Sequence, residues 1–382
     1  MLSVWVIVMS SNGGGNSVLI NGIGTVGSRT AHLLLSMGIP VHGVKSSALK
    51  DDLKTQELLS LYNRFGAFPI AVVPGENYEQ RVQQFKELGF KVLNNPDLSR
   101  YSVVVDATDG AVTAQNVARY TQSQRFLVQG GTDYELVKKD FVSVPNGVAR
   151  EFAAFPRARQ VSCNTTFCST ALGLVLEHVG ASIIASVDVE LHRRCRDPGE
   201  KKEFREALAL KDSHHADDVM NVVPQVAAKV TSKANINAWE HFHHTQLLVS
   251  FAQPIDVRAI TEEFKNYPRC IFVEPELTQD PRVGMKTLRA VSDVIRVPDG
   301  DCLLPVYSLQ QLSPTSILIR GFTPQRSVIA LSCVDWVLGA LGRFTTWEDA
   351  FAYTNKNARW HGHTIAGLKQ AYEEKVRVKV AV

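Results

Sequence analysis

The stretch that most constrains this chain runs from Val18 to Met37. An apolar run, Val18 to Ile20, leads directly into Gly22, Gly24 and Gly27 in a G-x-G-x-x-G spacing. Thr25 to Met37 then carries helical spacing, with Val26, Ala31, Leu34 and Leu35 on one face. Alone such a glycine triplet is a weak signal, but between a strand and a helix each glycine has a task. Gly22 permits the turn, Gly24 lets backbone approach a pyrophosphate, and Gly27 allows close helix–strand packing. The phosphates then rest on free N–H groups at the helix start. Thr25 and Val26 open that helix. The stretch predicts a dinucleotide site.

The same architecture continues downstream. A second strand, Pro40 to Val44, ends in Lys45, Ser46 and Ser47. NAD-specific folds place a carboxylate there for the ribose 2′-hydroxyl. A lysine and two hydroxyls instead tolerate a 2′-phosphate, so Lys45 points to NADP, or to use of both NADP and NAD. Val103 to Asp106 runs into Ala107–Gly110, and Phe126 to Val128 runs into Gln129–Gly131. Apolar strands ending in polar, glycine-containing loops, with helical stretches between, predict a doubly wound parallel sheet. Its C-terminal edge would line the cofactor crevice, and Gly110 is a candidate close-approach position there.

The candidate nucleophile is Cys163, where the short run ending at Val161 and Ser162 gives way to an amphipathic helix. Asn164, Thr165 and Thr166 suit a helix start. Leu172, Leu174, Val175, Leu176 and Val179 supply the apolar face. This position is expected to expose the sulfur to the positive end of the helix dipole. A free thiol is only about 3% thiolate at pH 7, and a helix terminus or an imidazolium raises that fraction. The bland alternative is a buried core cysteine.

With 382 residues the chain has room for two or three domains, and its net charge of +3 gives no support for nucleic-acid or membrane binding. Its 6 cysteines include no CxxC pair, so neither a disulfide scaffold nor a metal site is indicated and a reducing compartment is expected. The apolar N-terminus, Leu2 to Met9, lacks a basic region and a cleavage site and reads poorly as a signal peptide.

Past Cys163, strand-like stretches at Ile183–Leu191, Leu247–Ala252, Cys270–Glu274 and Ser316–Arg320 are more widely spaced, which suggests a mixed or antiparallel sheet. From Ser327 a long apolar-faced helix is predicted, then two amphipathic helices and a short alternating tail, Val376 to Val382. The expected organisation is therefore an extension over 1–17, a Rossmann-type NAD(P)-binding domain over 18–162 and an α/β catalytic domain with a mixed sheet over 163–326. The helices of 327–382 are expected to pack back on the nucleotide domain. Three polar clusters could serve Cys163. Arg193 and Arg194 follow a strand and suit phosphate oxygens or a carboxylate. His214 and His215 sit in a loop that opens a helix. His241, His243 and His244 lead into the strand at 247.

Together these motifs resemble the archaeal-type (type II) phosphorylating glyceraldehyde-3-phosphate dehydrogenase family. The landmarks fall in family order over most of residues 18 to 345: the glycine loop, Gln129–Gly131, Ser162–Thr166, Arg193 with Arg194, and Ser213–His215. The resemblance implies cofactor contacts at Thr25, Val26, Gly110, Arg194 and Gln325. It further implies substrate contacts at Ser162, Asn164, His214 and His215, with Thr165 and Arg193 beside them, and Cys163 as nucleophile. A base histidine is implied on the segment entering the strand at 247; strand alternation selects His243, whereas the local His-x-His pattern selects His241. A phosphorylated aldehyde and inorganic phosphate are the implied partners, and a cytoplasmic homotetramer the implied state. The family's Gly-Pro after the double histidine is Ala216-Asp217 here, and its C-terminal His-Gln-Glu-Ser is replaced around Thr323–Ser327. A semialdehyde or other acyl-phosphate dehydrogenase, and a non-catalytic NAD(P)-binding regulator, stay open as alternatives.

Overall fold

The computed structural model describes residues 17–45, 49, 53–66, 68–93, 100–120, 124–129, 134–147, 151–195, 207–238, 242–279, 283–295, 302–324 and 327–381. Residues 1–16, Ser46, Ser47, Gly130, Gly131, His241, Gln325 and Arg326 lie outside them.

In the first half, apolar runs and amphipathic stretches alternate as β1 (Val18–Asn21), α1 (Thr25–Ser36), β2 (Val41–Lys45), α2 (Leu53–Phe65), β3 (Ile70–Val72), α3 (Tyr78–Glu87) and β4 (Val92–Leu93). Then come β5 (Val103–Asp106), α4 (Gly110–Val117), β6 (Arg125–Val128), β7 (Asp140–Phe141) and β8 (Arg157–Gln160). The eight strands form one sheet in the order β4-β3-β2-β1-β5-β6-β8-β7, and every pairing is parallel. All residues of β1 and β5 are buried, as expected of central strands covered on both faces. The strand order reverses between β1 and β5, which opens a crevice at their C-terminal ends. This is the Rossmann-like doubly wound half of an α/β fold.

The second half holds α5 (Cys163–Leu176), β9 (Ile184–Arg194), β10 (Ala207–Asp212), α6 (His215–Val222), β11 (Val230–Asn237) and β12 (His243–Phe251). It continues through α7 (Val257–Asn266), β13 (Ile271–Phe272), α8 (Val283–Ile295), β14 (Val306–Ser313) and β15 (Ser316–Thr323). Its seven strands run β10-β11-β9-β12-β15-β14-β13. The β9–β11 and β13–β14 pairs are parallel and the others antiparallel, so the sheet is mixed. β10, β11 and β14 carry no clear apolar alternation and escaped the sequence reading. Along β12 the odd positions, His243 to Phe251, are buried and the even ones half-buried. The buried side shares a core with Phe167, Ala171 and Leu174 of α5.

Three helices close the chain: α9 (Ala330–Ala340), α10 (Trp347–Asn357) and α11 (Ile365–Ala381). Every residue of α9 is buried, as an all-round apolar helix requires; it lies against α1, β5 and β6. The predicted alternating tail is overturned, because α11 runs straight through it and packs on α8. Val376 is buried there and Val378 exposed, so tertiary contact outweighed a short period-two pattern. Among the described residues no helix is long and apolar enough to cross a membrane.

Candidate active site

At the glycine loop the three positions differ in kind. Gly22 has φ +93°, and a Cβ there would meet the Ala107 carbonyl carbon at 2.9 Å. At Gly27 a Cβ would lie 2.2 Å from the Gly22 carbonyl oxygen, so α1 can approach the loop only without a side chain. At Gly24 a Cβ would meet nothing within 4 Å. The loop is thus closed beneath and open above, with the N-terminus of α1 facing the opening and no acidic residue in its first turn. That open cradle fits the pyrophosphate of a nicotinamide dinucleotide. Lys45 ends β2 and is only 5% exposed, so its side chain is packed rather than trailing into solvent.

Below the loop lies a group the sequence reading missed. The fully buried Asp106 carboxylate accepts hydrogen bonds from Tyr120 Oη (2.5 Å), Thr108 Oγ1 (2.5 Å), Asn116 Nδ2 (3.0 Å) and Asn21 Nδ2 (3.3 Å). It ties the ends of β1 and β5, which meet at Asn21 and Asp106, to the loop entering α4. Burial, with Asp106 alongside, pushes the Tyr120 hydroxyl far above its ordinary pKa. Gly110 is the first residue of α4, capped by Asp109, whose Oδ1 accepts from Val112 N–H at 3.3 Å.

Cys163 is the first residue of α5. The residue that caps this helix is Ser162, whose Oγ accepts from the Thr165 N–H at 3.2 Å; Asn164, Thr165 and Thr166 follow inside the first turn. Expectation fails on exposure, since Cys163 is 7% exposed and covered by Val328, Ile329 and Val26. Through Val26 the glycine-loop helix packs against this same cluster. The thiol pKa is not lowered: burial pushes it up to about 11, against the opposing pull of Arg194, the Asn164 N–H and Arg193. Desolvation outweighs the helix terminus and two guanidinium groups together.

The two arginines do not act as a pair. β9 extends through both and sends them to opposite faces; at this end the strand departs from the phase of Val187, Val189 and Leu191, so that Arg194 is buried and Arg193 exposed. The Arg194 N–H donates to His243 Nδ1 at 3.2 Å. His243 opens β12 on its buried side, in phase with Leu247 and Val249, and pairs across from Thr323. Histidines adjacent in sequence are parted by the same alternation. His244 faces the other side, stacked on His192 at 5.7 Å; burial and that neighbour lower its pKa to about 4.

His214 and His215 sit at the start of α6 with rings stacked at 4.4 Å. His215 is buried, lies 3.2 Å from Ser213 Oγ through Nδ1, and has its pKa lowered to about 3 by burial, with His214 and Arg193 adding to the effect. Arg193 thus lies within electrostatic reach of both the His215 ring and the Cys163 sulfur. In the first turn of α5 Asn164 Oδ1 and Thr166 Oγ1, and across from His243 Thr323 Oγ1, are buried without a hydrogen-bond partner among the described residues. Buried polar atoms of this kind are groups a bound polar ligand can satisfy.

No protein-family model matches the chain. Curated relatives are archaeal proteins named glyceraldehyde-3-phosphate dehydrogenase. That of Aeropyrum pernix is 29% identical over 287 residues, covering 73% of this chain and 77% of the relative. Those of Methanobrevibacter smithii and Thermococcus onnurineus are each 26% identical, over 68% and 67% of this chain and 74% and 73% of their own lengths. These similarities bear out the resemblance to the archaeal-type glyceraldehyde-3-phosphate dehydrogenase family.

Proposed function

We propose that this dehydrogenase-like chain oxidises glyceraldehyde 3-phosphate to an acyl phosphate, through a thioester on Cys163. The observation that carries the reading is the cluster of Cys163, first residue of α5, with Val328 and Ile329, against which Val26 of the glycine-loop helix packs, with Arg194 and Arg193 in electrostatic reach of the sulfur. On this reading Cys163 is a nucleophile at the mouth of a dinucleotide cradle. Gly22, Gly24, Thr25, Val26, Gly27 and Gly110 would hold NADP or NAD, which supplies the hydride acceptor. Lys45, with no carboxylate at the end of β2, favours NADP.

In this mechanism the Cys163 sulfur adds to the aldehyde carbon as a thiolate, forming a thiohemiacetal. Arg194 steadies the thiolate against the burial that opposes it. His243 takes the proton from the substrate oxygen as the hydride on the same carbon departs to the acceptor that a bound cofactor would supply, which turns the thiohemiacetal into a thioester. Its Nδ1 accepts from the Arg194 backbone N–H, so that transfer would pass through Nε2. Inorganic phosphate then attacks the thioester carbonyl, the C–S bond breaks, and the acyl phosphate leaves. Ser162 and Asn164 would hold the substrate near sulfur, while His214, His215 and Arg193 would receive phosphate oxygens.

The test follows reduced cofactor with glyceraldehyde 3-phosphate, with and without phosphate, for wild type and Cys163→Ser, using NADP and NAD. Phosphate-dependent turnover lost in the variant supports the reading. Phosphate-independent turnover would point to a hydrolytic dehydrogenase. Cofactor binding without turnover would leave a non-catalytic regulator.

A further inference from the structure

A buried charge network joins the parallel sheet to His214. Arg159 of β8 grips Asp140 of β7 with both arms, Nε to Oδ1 at 2.7 Å and Nη2 to Oδ2 at 2.9 Å. The same Nη2 donates to Asp218 Oδ1 of α6 at 2.6 Å. Asn221 Nδ2 adds a bond to Asp140 Oδ2 at 3.1 Å. The three charged side chains are at most 9% exposed. The second oxygen of Asp218 faces outward, 3.7 Å from His214 Nε2, one helical turn away.

His214 itself is 66% exposed. An exposed ring ordinarily turns freely about χ1 and χ2. Here stacking on buried His215 sets the plane of the ring, the two planes lying 24° apart. Asp218 then sets its rotation within that plane, turning Nδ1 away from the carboxylate. The network sets two carboxylates against one guanidinium, and the second oxygen of Asp218 is the part of it that faces the ring. Buried ion triads contribute little to stability against well-packed apolar side chains, so orientation of an exposed ring is the better account of this one.

We propose that Asp218 is a positioning residue that aims His214 at the substrate's phosphate group, with Arg159 and Asp140 holding Asp218 for that task. This rests on the phosphorylated-aldehyde reading of the site. Through Arg193, whose charge reaches both His215 and Cys163, the aimed ring belongs to the same neighbourhood as the nucleophile.

Asp218→Asn tests it. The Oδ1 position must stay an acceptor for Arg159, which forces the new amide N–H₂ toward His214 and puts a donor where the carboxylate oxygen faced the ring. The expected result is a rise of about fivefold in KM for glyceraldehyde 3-phosphate. kcat should hold within about twofold, and KM for unphosphorylated glyceraldehyde should not move. His214→Ala, at an exposed position that the fold does not need, should raise the same KM selectively. Combining the two substitutions should add nothing further. Equal KM changes for both aldehydes, an unmoved KM in either variant, or additive effects would overturn the proposal. If Asp218→Asn does not fold, Asp218→Glu takes its place: the displaced carboxylate should raise the same KM selectively, and an unmoved KM would overturn the proposal. Wild-type turnover in the same series judges the underlying reading separately. Its absence removes both, whereas normal wild-type turnover with an unmoved Asp218→Asn and a selective His214→Ala removes only the role of Asp218.

Discussion

Gly24 and Gly27 stand three residues apart in one loop, and the structure assigns them opposite sensitivities. At Gly27 an added Cβ would lie 2.2 Å from the Gly22 carbonyl oxygen, where ordinary contact begins near 3.4 Å. The opposing atom is backbone, so loop and helix must part by about 1 Å, an overpacking cost of about 3 kcal/mol at the upper end of the usual range. At roughly 2 °C per kcal/mol for a chain of this size, Gly27→Ala should lower Tm by about 6 °C. Gly24→Ala meets nothing within 4 Å. Its φ of −110° is also open to any residue, so Tm should stay within about 1 °C. Its Cβ would instead occupy the opening that faces the N-terminus of α1. Losing one charge-assisted bond to a phosphate costs about 1.5–3 kcal/mol, or about 10- to 100-fold in Kd. Thermal melting and calorimetric titration with NADP measure the two effects on the same samples. A Gly24→Ala protein that binds NADP within about twofold of wild type would refute the cradle, and equal loss of Tm in both variants would refute the steric reasoning.

Two further outcomes follow from burial. With its thiol pushed to about 11, Cys163 in the substrate-free protein should be alkylated by iodoacetamide about tenfold faster per pH unit between pH 7 and pH 10. Peptide mapping separates it from the other cysteines, and a rate that levels off near pH 8 would contradict the desolvated thiol. His215 and His244, with folded pKa values of about 3 and about 4, reject protons that the unfolded chain accepts below about 6.5. Their stabilisation is therefore complete above pH 6.5 and is lost progressively as pH falls toward 4, by up to about 1.4 kcal/mol per pH unit for each ring. Urea midpoints at pH 7 and pH 5 measure this slope. His244→Gln should remove part of it, and an unchanged slope in that variant would show that the ring is not the source.

What could be read from the chain was what short-range sterics and chain periodicity dictate. The glycine loop was legible because a strand, a left-handed turn at Gly22 and a helix starting at Thr25 leave few conformations for the residues between them. The start of α5 at Cys163 was legible because helix capping is local, although the cap proved to be Ser162 rather than a residue after the cysteine. Strand alternation likewise placed His243 on the buried side of β12. The parallel sheet followed from successive apolar runs separated by helical stretches.

Tertiary structure alone decided the electrostatics. The Cys163 sulfur is covered by Val328 and Ile329 from the far end of the chain, and that distant contact reverses the expected direction of its pKa. The extension of β9 through Arg193 and Arg194 divides a pair that is adjacent in sequence, while folding brings Arg159, Asp140 and Asp218 together from three separate elements. Asp106 looked like an ordinary polar residue at a strand end and became the acceptor for five surrounding side chains. Backbone preference is set by neighbours along the chain, whereas desolvation and charge pairing depend on what lies nearby in space, and no local pattern records that.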